Sequence, residues 1–111
     1  MGAREDRIAR NEALFRSVNE RVRELVTSAG ALGSDPSASF VCECGNADCT
    51  ATVELTVAEY EQVREDPTHF FVVPGHESPE VEEVVERHER YDVVRKHSHE
   101  AQIAIDTDPR S

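Results

Sequence analysis

From Arg4 to Ser28 the apolar residues recur at helical spacing. Ile8, Phe15 and Val22 are seven apart, and Val18 and Leu25 follow the last two by three, with Asn11 at the matching earlier position. The intervening polar residues are good helix formers, and Gly30 offers a stop. The pattern predicts an N-terminal amphipathic helix over 4–28. It lays that stripe on the domain's own core, or pairs it with another chain, Asn11 then setting the register. With fewer than three heptads, a coiled coil standing alone would be marginal.

The pattern then changes. Residues 29–39 (AGALGSDPSAS) are small and turn-rich and read as a linker. A compact part follows over 40–97. Thr50–Thr56 alternates, Ala51, Val53 and Leu55 against Thr52, Glu54 and Thr56, as a half-buried strand does. Thr56 followed by Glu59 forms a capping box for a helix over 57–65, ended by Pro67. Phe70–Val73 reads as a strand closed by the Pro74-Gly75 turn. Ser78-Pro79 signals a third helix over 79–89, although the β-branched Val81–Val85 stretch would also suit a strand. Tyr91–Lys96 reads as a strand. The polar tail, 98–111, reads as disordered, with Gln102–Ile105 as an alternative edge strand.

Composition limits what such a fold can do unaided. The chain has 111 residues, 38% apolar and 5% aromatic, with no tryptophan. One small domain with a light core is expected, of the kind a metal or partner helps to hold. No apolar run approaches the roughly 20 residues that span a bilayer, and the first residues lack a signal peptide's apolar stretch, so a cytoplasmic protein is expected. Net charge is −11: six arginines and five acids between Arg4 and Glu24 leave +1, and six basic against eighteen acidic residues elsewhere leave −12. Nucleic-acid backbones call for a basic patch, and anionic lipid repels an acidic surface. A protein partner with a basic surface fits better. The acids at Glu77–Glu89 and at Glu59–Asp66 are either such a docking surface or simply a solvated face.

The three cysteines, Cys42, Cys44 and Cys49, fall within eight residues. An odd, tightly spaced set without a secretion signal argues against a disulfide framework. Clustered thiolates suit zinc, whose structural sites are tetrahedral. On a regular strand residues 42 and 44 would stand about 7 Å apart, too far for sulfurs on one ion. The backbone must tighten, and Gly45-Asn46 is expected to supply a bend with positive φ. His76, after the Pro-Gly turn, is the expected fourth ligand, with His69 the second choice. His88, His97 and His99 read as solvated, and Asp48 and Glu43 as weaker donors. The ligand set is thus Cys42, Cys44, Cys49 and His76 around one structural zinc ion. A catalytic zinc would need an open position and a base, for which Glu77 or Glu43 is placed, but three thiolates acidify a bound water only weakly.

The C-x-C-G-x-x-x-C run of Cys42, Cys44, Gly45 and Cys49 resembles the post-SET zinc knuckle of histone lysine methyltransferases. That resemblance implies three clustered ligands completed by a distant fourth, and it carries over no activity. More broadly, Phe40–Cys49, Glu59–Pro67 and Pro74-Gly75-His76-Glu77 look like a group of small, acidic actinobacterial proteins to which no function is assigned. The expected architecture is α+β: the N-terminal helix, then a small zinc-stabilised domain of about three strands and two short helices. The expected function is a zinc-binding module acting through protein contacts, as a regulatory partner. The alternative is an enzyme using an open zinc site or redox-reactive thiols.

Overall fold

The computed structural model describes residues 3–28 and 36–110. The chain runs α1 (Ala3–Ser28), β1 (Ser37–Val41), β2 (Thr52–Thr56), α2 (Val57–Arg64), β3 (His69–Val72), β4 (Glu82–Arg87), β5 (Asp92–Lys96) and α3 (Ser98–Asp106). The architecture is α+β. β1 and β2 form an antiparallel pair, and β5 lies between β3 and β4 in an antiparallel three-stranded sheet. β1 begins inside the stretch read as linker, whose residues 29–35 lie outside the described residues.

β3 explains why Phe70–Val73 is apolar without alternation: both of its faces are covered. Phe71 joins Phe40, Val53, Leu55, Tyr60, Val63, Tyr91 and Val93 on one side. Phe70 and Val72 join Cys42, Cys44, Val94 and Ala104 on the other. Tyr60 stacks on Phe40 at 4.6 Å between centroids and meets Phe71 edge-on. The capping box at Thr56 and Glu59 is formed as the spacing predicts, Glu59 N donating to Thr56 Oγ1 and Thr56 N to Glu59 Oε1.

Two further elements differ from expectation. The helix over 79–89 is replaced by strand β4. Its Ser78-Pro79 start signal is spent on a single turn, with Val81 N and Glu82 N both donating to Ser78 O. Val81 is then fully buried, and Val84 pairs with Val94 across to β5, with a register shift before Glu86. β-branched residues beside a buried strand gain more from the ladder than from a local helix signal. The tail expected to be disordered forms α3 instead. Ala104 packs on the Phe70 side of the core, and the Arg16 guanidinium of α1 donates to Ala104 O at 2.6 Å.

α1 sits against the domain on an unexpected face. Ile8, Ala9 and Ala13 are buried together with Glu12, Arg16, Asn19 and Glu20, while Leu14, Val18 and Leu25 are exposed. Each buried polar side chain has partners, as burial demands. Arg16 also donates to Pro67 O at 2.7 Å and lies over the Phe70 ring. Glu12 and Glu82 are in ion-pair contact with Lys96, and Glu20 accepts from Tyr60, Arg64 and Arg110. Among the described residues no helix is long and apolar enough to cross a membrane.

Candidate metal centre

Cys42 leaves β1 in extended backbone, tied by its N–H to Ala51 O at 3.0 Å, while Glu43 N donates to Phe71 O at 3.0 Å. This short segment therefore bridges the two sheets, and its side chains alternate. Cys42 and Cys44 lie on the side facing Phe70 and Val94. The Glu43 carboxylate goes the other way, accepting from Asn19 Nδ2 at 2.9 Å and from Phe71 N at 3.2 Å.

After Cys44 the chain doubles back. Asp48 N donates to the Asn46 side chain and Cys49 N to Asn46 O, each at 3.0 Å, which returns Cys49 to the other two sulfurs. The expected positive φ at Gly45-Asn46 is not what permits this bend: Gly75 is the one described residue with positive φ. Gly45 is instead required by close approach, because a Cβ there would lie 2.2 Å from Ile8 Cγ2 on α1. Asn11 Nδ2 seals the same contact by donating to Gly45 O at 3.0 Å.

His76 comes from the turn after β3. Gly75 has φ 92°, and His76 N donates to Val73 O at 2.9 Å. Proline followed by a positive-φ glycine makes this a type II turn, as Pro74-Gly75 predicts. It swings the imidazole onto the knuckle, with Nδ1 at 3.6 Å from Cys42 Sγ and 3.7 Å from Cys49 Sγ. The ligand atoms of Cys42, Cys44, Cys49 and His76 all lie within 4.8 Å of one another. The four form a cluster that could hold a metal ion.

The two His76 contacts match a tetrahedral ion. Bonds of about 2.3 Å to sulfur and 2.05 Å to nitrogen at the tetrahedral angle put nitrogen and sulfur roughly 3.6 Å apart. Burial pushes the Cys42 and Cys44 thiols up from their ordinary range, and each also feels the neighbouring thiols. Backbone N–H groups oppose this: Val73 N donates to Cys42 Sγ at 3.3 Å, and the Asn46 amide acts on Cys44. Donors aimed at sulfur favour the thiolate that a cation needs. Cys42 and Cys44 are buried, Cys49 is half-buried and His76 is exposed, so the site closes from the solvent side.

The remaining candidates lie elsewhere. His69, at the start of β3, contacts Asp66 at 3.5 Å. His88 stacks on Tyr91, His97 precedes α3, and His99 contacts Asp6 at 3.0 Å. Burial pushes the Glu43 carboxyl up to about 7, against the opposing hydrogen bonds from Asn19 and Phe71 N and the Arg16 and Arg64 charges. What the sequence reading lacked was the role of α1 in seating the knuckle. The signal was present in Asn11 and Asn19, amides eight apart on one helix.

No family model, curated protein or solved structure matches this chain.

Proposed function

We propose that the protein binds one structural zinc ion through Cys42, Cys44, Cys49 and His76, and that the zinc-bound fold works as a protein-interaction module. The observation that carries this reading is the placement of His76 Nδ1 at 3.6 and 3.7 Å from two of the sulfurs, the edge length of a tetrahedron around zinc. Three sulfurs and a nitrogen are a soft donor set, which favours zinc over magnesium or calcium. Bound zinc would supply folding free energy to a core with few large side chains.

An enzymatic role has less support. With His76 as the fourth ligand a tetrahedral ion would have no position left for water or substrate, and the nearby Glu43 carboxylate is committed to Asn19 and Phe71. A reducing, cytoplasmic compartment suits three cysteines that form no disulfide. The net charge of −11 suits a regulatory partner that meets a basic protein surface.

The test is metal analysis of the purified protein together with substitution by cobalt. One equivalent of zinc and a tetrahedral cobalt spectrum with thiolate charge-transfer bands are expected, and His76→Ala should change that spectrum while leaving the three thiolates bound. Alkylation of holo protein should leave all three thiols protected. Absence of stoichiometric metal would reject the zinc site. An exchangeable water on cobalt in the unaltered protein would favour the catalytic alternative.

A further inference from the structure

Where α1 meets β4 and β5, three charged side chains come together out of reach of water. Glu12 from α1 and Glu82 from β4 both face the Lys96 ammonium of β5, and all three side chains are 0% exposed. The Phe70 ring of β3 lies 5.0 Å from that ammonium and adds an apolar wall. Glu82 has a second donor, the Ser78 amide at 2.8 Å. Beyond Lys96, neither Glu12 oxygen meets a hydrogen-bond donor among the described residues.

The charges there do not balance. Two carboxylates share one ammonium, and Glu100 on α3, itself buried, adds a third acid that acts on Lys96. Arg16, the other buried cation of α1, is turned to Pro67 O and Ala104 O, and its charge faces Asp108 and Glu43. Before β4, Glu77 and Glu80 add negative charge towards Glu82, while His97 after β5 opposes them. On the outside, Glu83 is paired with Arg95 and His99 with Asp6. A buried carboxylate without a counter-charge costs far more than a neutral carboxyl, so it takes up a proton. Burial accordingly pushes the Glu82 carboxyl up to about 7. Burial also pushes Lys96 down to about 7, against Glu100 and the two carboxylates in contact with it, which favour its charge. The three groups titrate as a unit. Losing one proton leaves a single net negative charge. Losing a second would leave two carboxylates beside a neutral amine, so the ammonium keeps its proton.

We propose that a single proton shared between Glu12 and Glu82 latches α1 to the sheet, and that its loss above neutral pH loosens the helix. The two carboxylates belong to different elements, so their repulsion acts between α1 and β4. Linkage gives the direction. A carboxyl raised on folding contributes its stability in full below its unfolded value near 4.5 and loses it as pH rises through 7. Were Lys96 the group that lets go, stability would instead rise with pH above 7, the opposite sign. The latch does not depend on the metal, whose thiolate ligands bind more tightly as pH rises.

The test is urea unfolding of the full chain as purified, from about pH 5 to pH 8, for the parent, Glu12→Gln and Glu82→Gln. Either substitution leaves one carboxylate for one ammonium and makes the neutral form permanent. One extra proton bound on folding changes the folding constant up to about tenfold per pH unit. The folding constant of each variant relative to the parent should therefore rise at least about tenfold from pH 5 to pH 8. Hydrogen exchange, corrected for its intrinsic rate, should show protection of the α1 amides around Glu12 falling over that range in the parent and holding in the variants. Glu83→Gln, an exposed acid on the same strand, should keep the parent's profile. Two variants keep the test decisive if one fails to fold. A ratio that stays flat or falls with pH overturns the proposal, as does parental α1 protection indifferent to pH.

Discussion

Replacing Gly45 by alanine tests whether the knuckle is built against α1 or is merely near it. The added methyl would lie 2.2 Å from Ile8 Cγ2, 3.1 Å from Ile8 Cβ and 3.4 Å from Ile8 Cα. Ile8 cannot rotate out of the way, because a β-branched side chain in a helix has one strongly preferred χ1 and Ile8 is itself buried. Either α1 or the loop must move. The Asn11–Gly45 hydrogen bond of 3.0 Å spans the same gap, so any retreat stretches it. Overpacking of this kind costs about 1–3 kcal/mol, and weakening the hydrogen bond adds up to about 1 kcal/mol. Gly45→Ala should therefore destabilise by roughly 2–3 kcal/mol, lowering the melting temperature by on the order of 10 °C. The decisive comparison is a double-mutant cycle with Ile8→Ala, which removes the nearest atom and leaves the 3.1 Å approach to Cβ. In that background the cost of Gly45→Ala should fall by at least about 1 kcal/mol. Urea midpoints of the metal-loaded proteins, at unchanged m-value, give the four stabilities. Equal costs in both backgrounds would refute the argument and return Gly45 to a purely local role in the bend.

Three further predictions follow from the buried polar groups and the metal. Asn19→Asp puts an acceptor where Asn19 Nδ2 now donates to Val41 O at 2.8 Å and Glu43 at 2.9 Å, so a loss of about 2–4 kcal/mol by urea unfolding is expected. A neutral result would show that α1 is not held there. Lys96→Met removes the cation facing Glu12 and Glu82 and should cost about 3–5 kcal/mol at pH 8. Burial pushes Glu82 up to about 7, with Glu77 and Glu80 raising it further and the Ser78 amide and His97 opposing; burial also pushes Lys96 down to about 7, against Glu100 and the two carboxylates in contact with it, which favour its charge. A carboxyl raised in the folded state contributes stability below its unfolded value near 4.5 and loses it as pH rises through 7. The gap between variant and parent should thus narrow from pH 8 to pH 5, and a gap that widens would contradict the cluster. Chelation of the metal should lower amide protection in the first half of α1 as well as in Cys42–Cys49, because Ile8 and Asn11 rest on Gly45. Hydrogen exchange that leaves α1 unchanged would argue against this coupling.

Elements whose cause is local were legible in the sequence. The capping box at Thr56, the alternation through β2, the turn at Pro74-Gly75 and the clustering of the cysteines all act over a few residues. His76 could be reached because a turn residue and an incomplete ligand set pointed to it together. Elements whose cause lies across the fold were not. β4 carries a helix start at Ser78-Pro79, and only its pairing with β5 overrides it. α3 is short and would not fold alone; it is held by the Arg16 contact from α1 and by Ala104 packing with Cys42, Cys44, Phe70, Val72 and Val94. The inner face of α1 was hidden for a sharper reason. Periodicity finds the apolar stripe of a helix, and here that stripe is split: Ile8 is buried and Val22 packs on the core, Val18 and Leu25 are exposed, and charges and amides point inward.

The burial of those amides and the cysteine cluster share one physical origin. Residues 42–44 are extended, so Cys42 and Cys44 fall on one side and Glu43 on the other. Turning Cys42 and Cys44 toward the cluster turns the Glu43 carboxylate into the interior beneath α1, where burial drives its pKa up to about 7 and makes its charge costly. A helix with an apolar inner face would leave that carboxylate only the Phe71 N–H as a donor. Asn19 resolves the conflict: its Nδ2 serves both Glu43 and Val41 O, and its Oδ1 accepts from Val41 N at 2.8 Å. The polar groups on the inner face of α1 thus answer to where the cysteines point; Ile8, Ala9 and Ala13 share that face, and Leu14, Val18 and Leu25 stay outside.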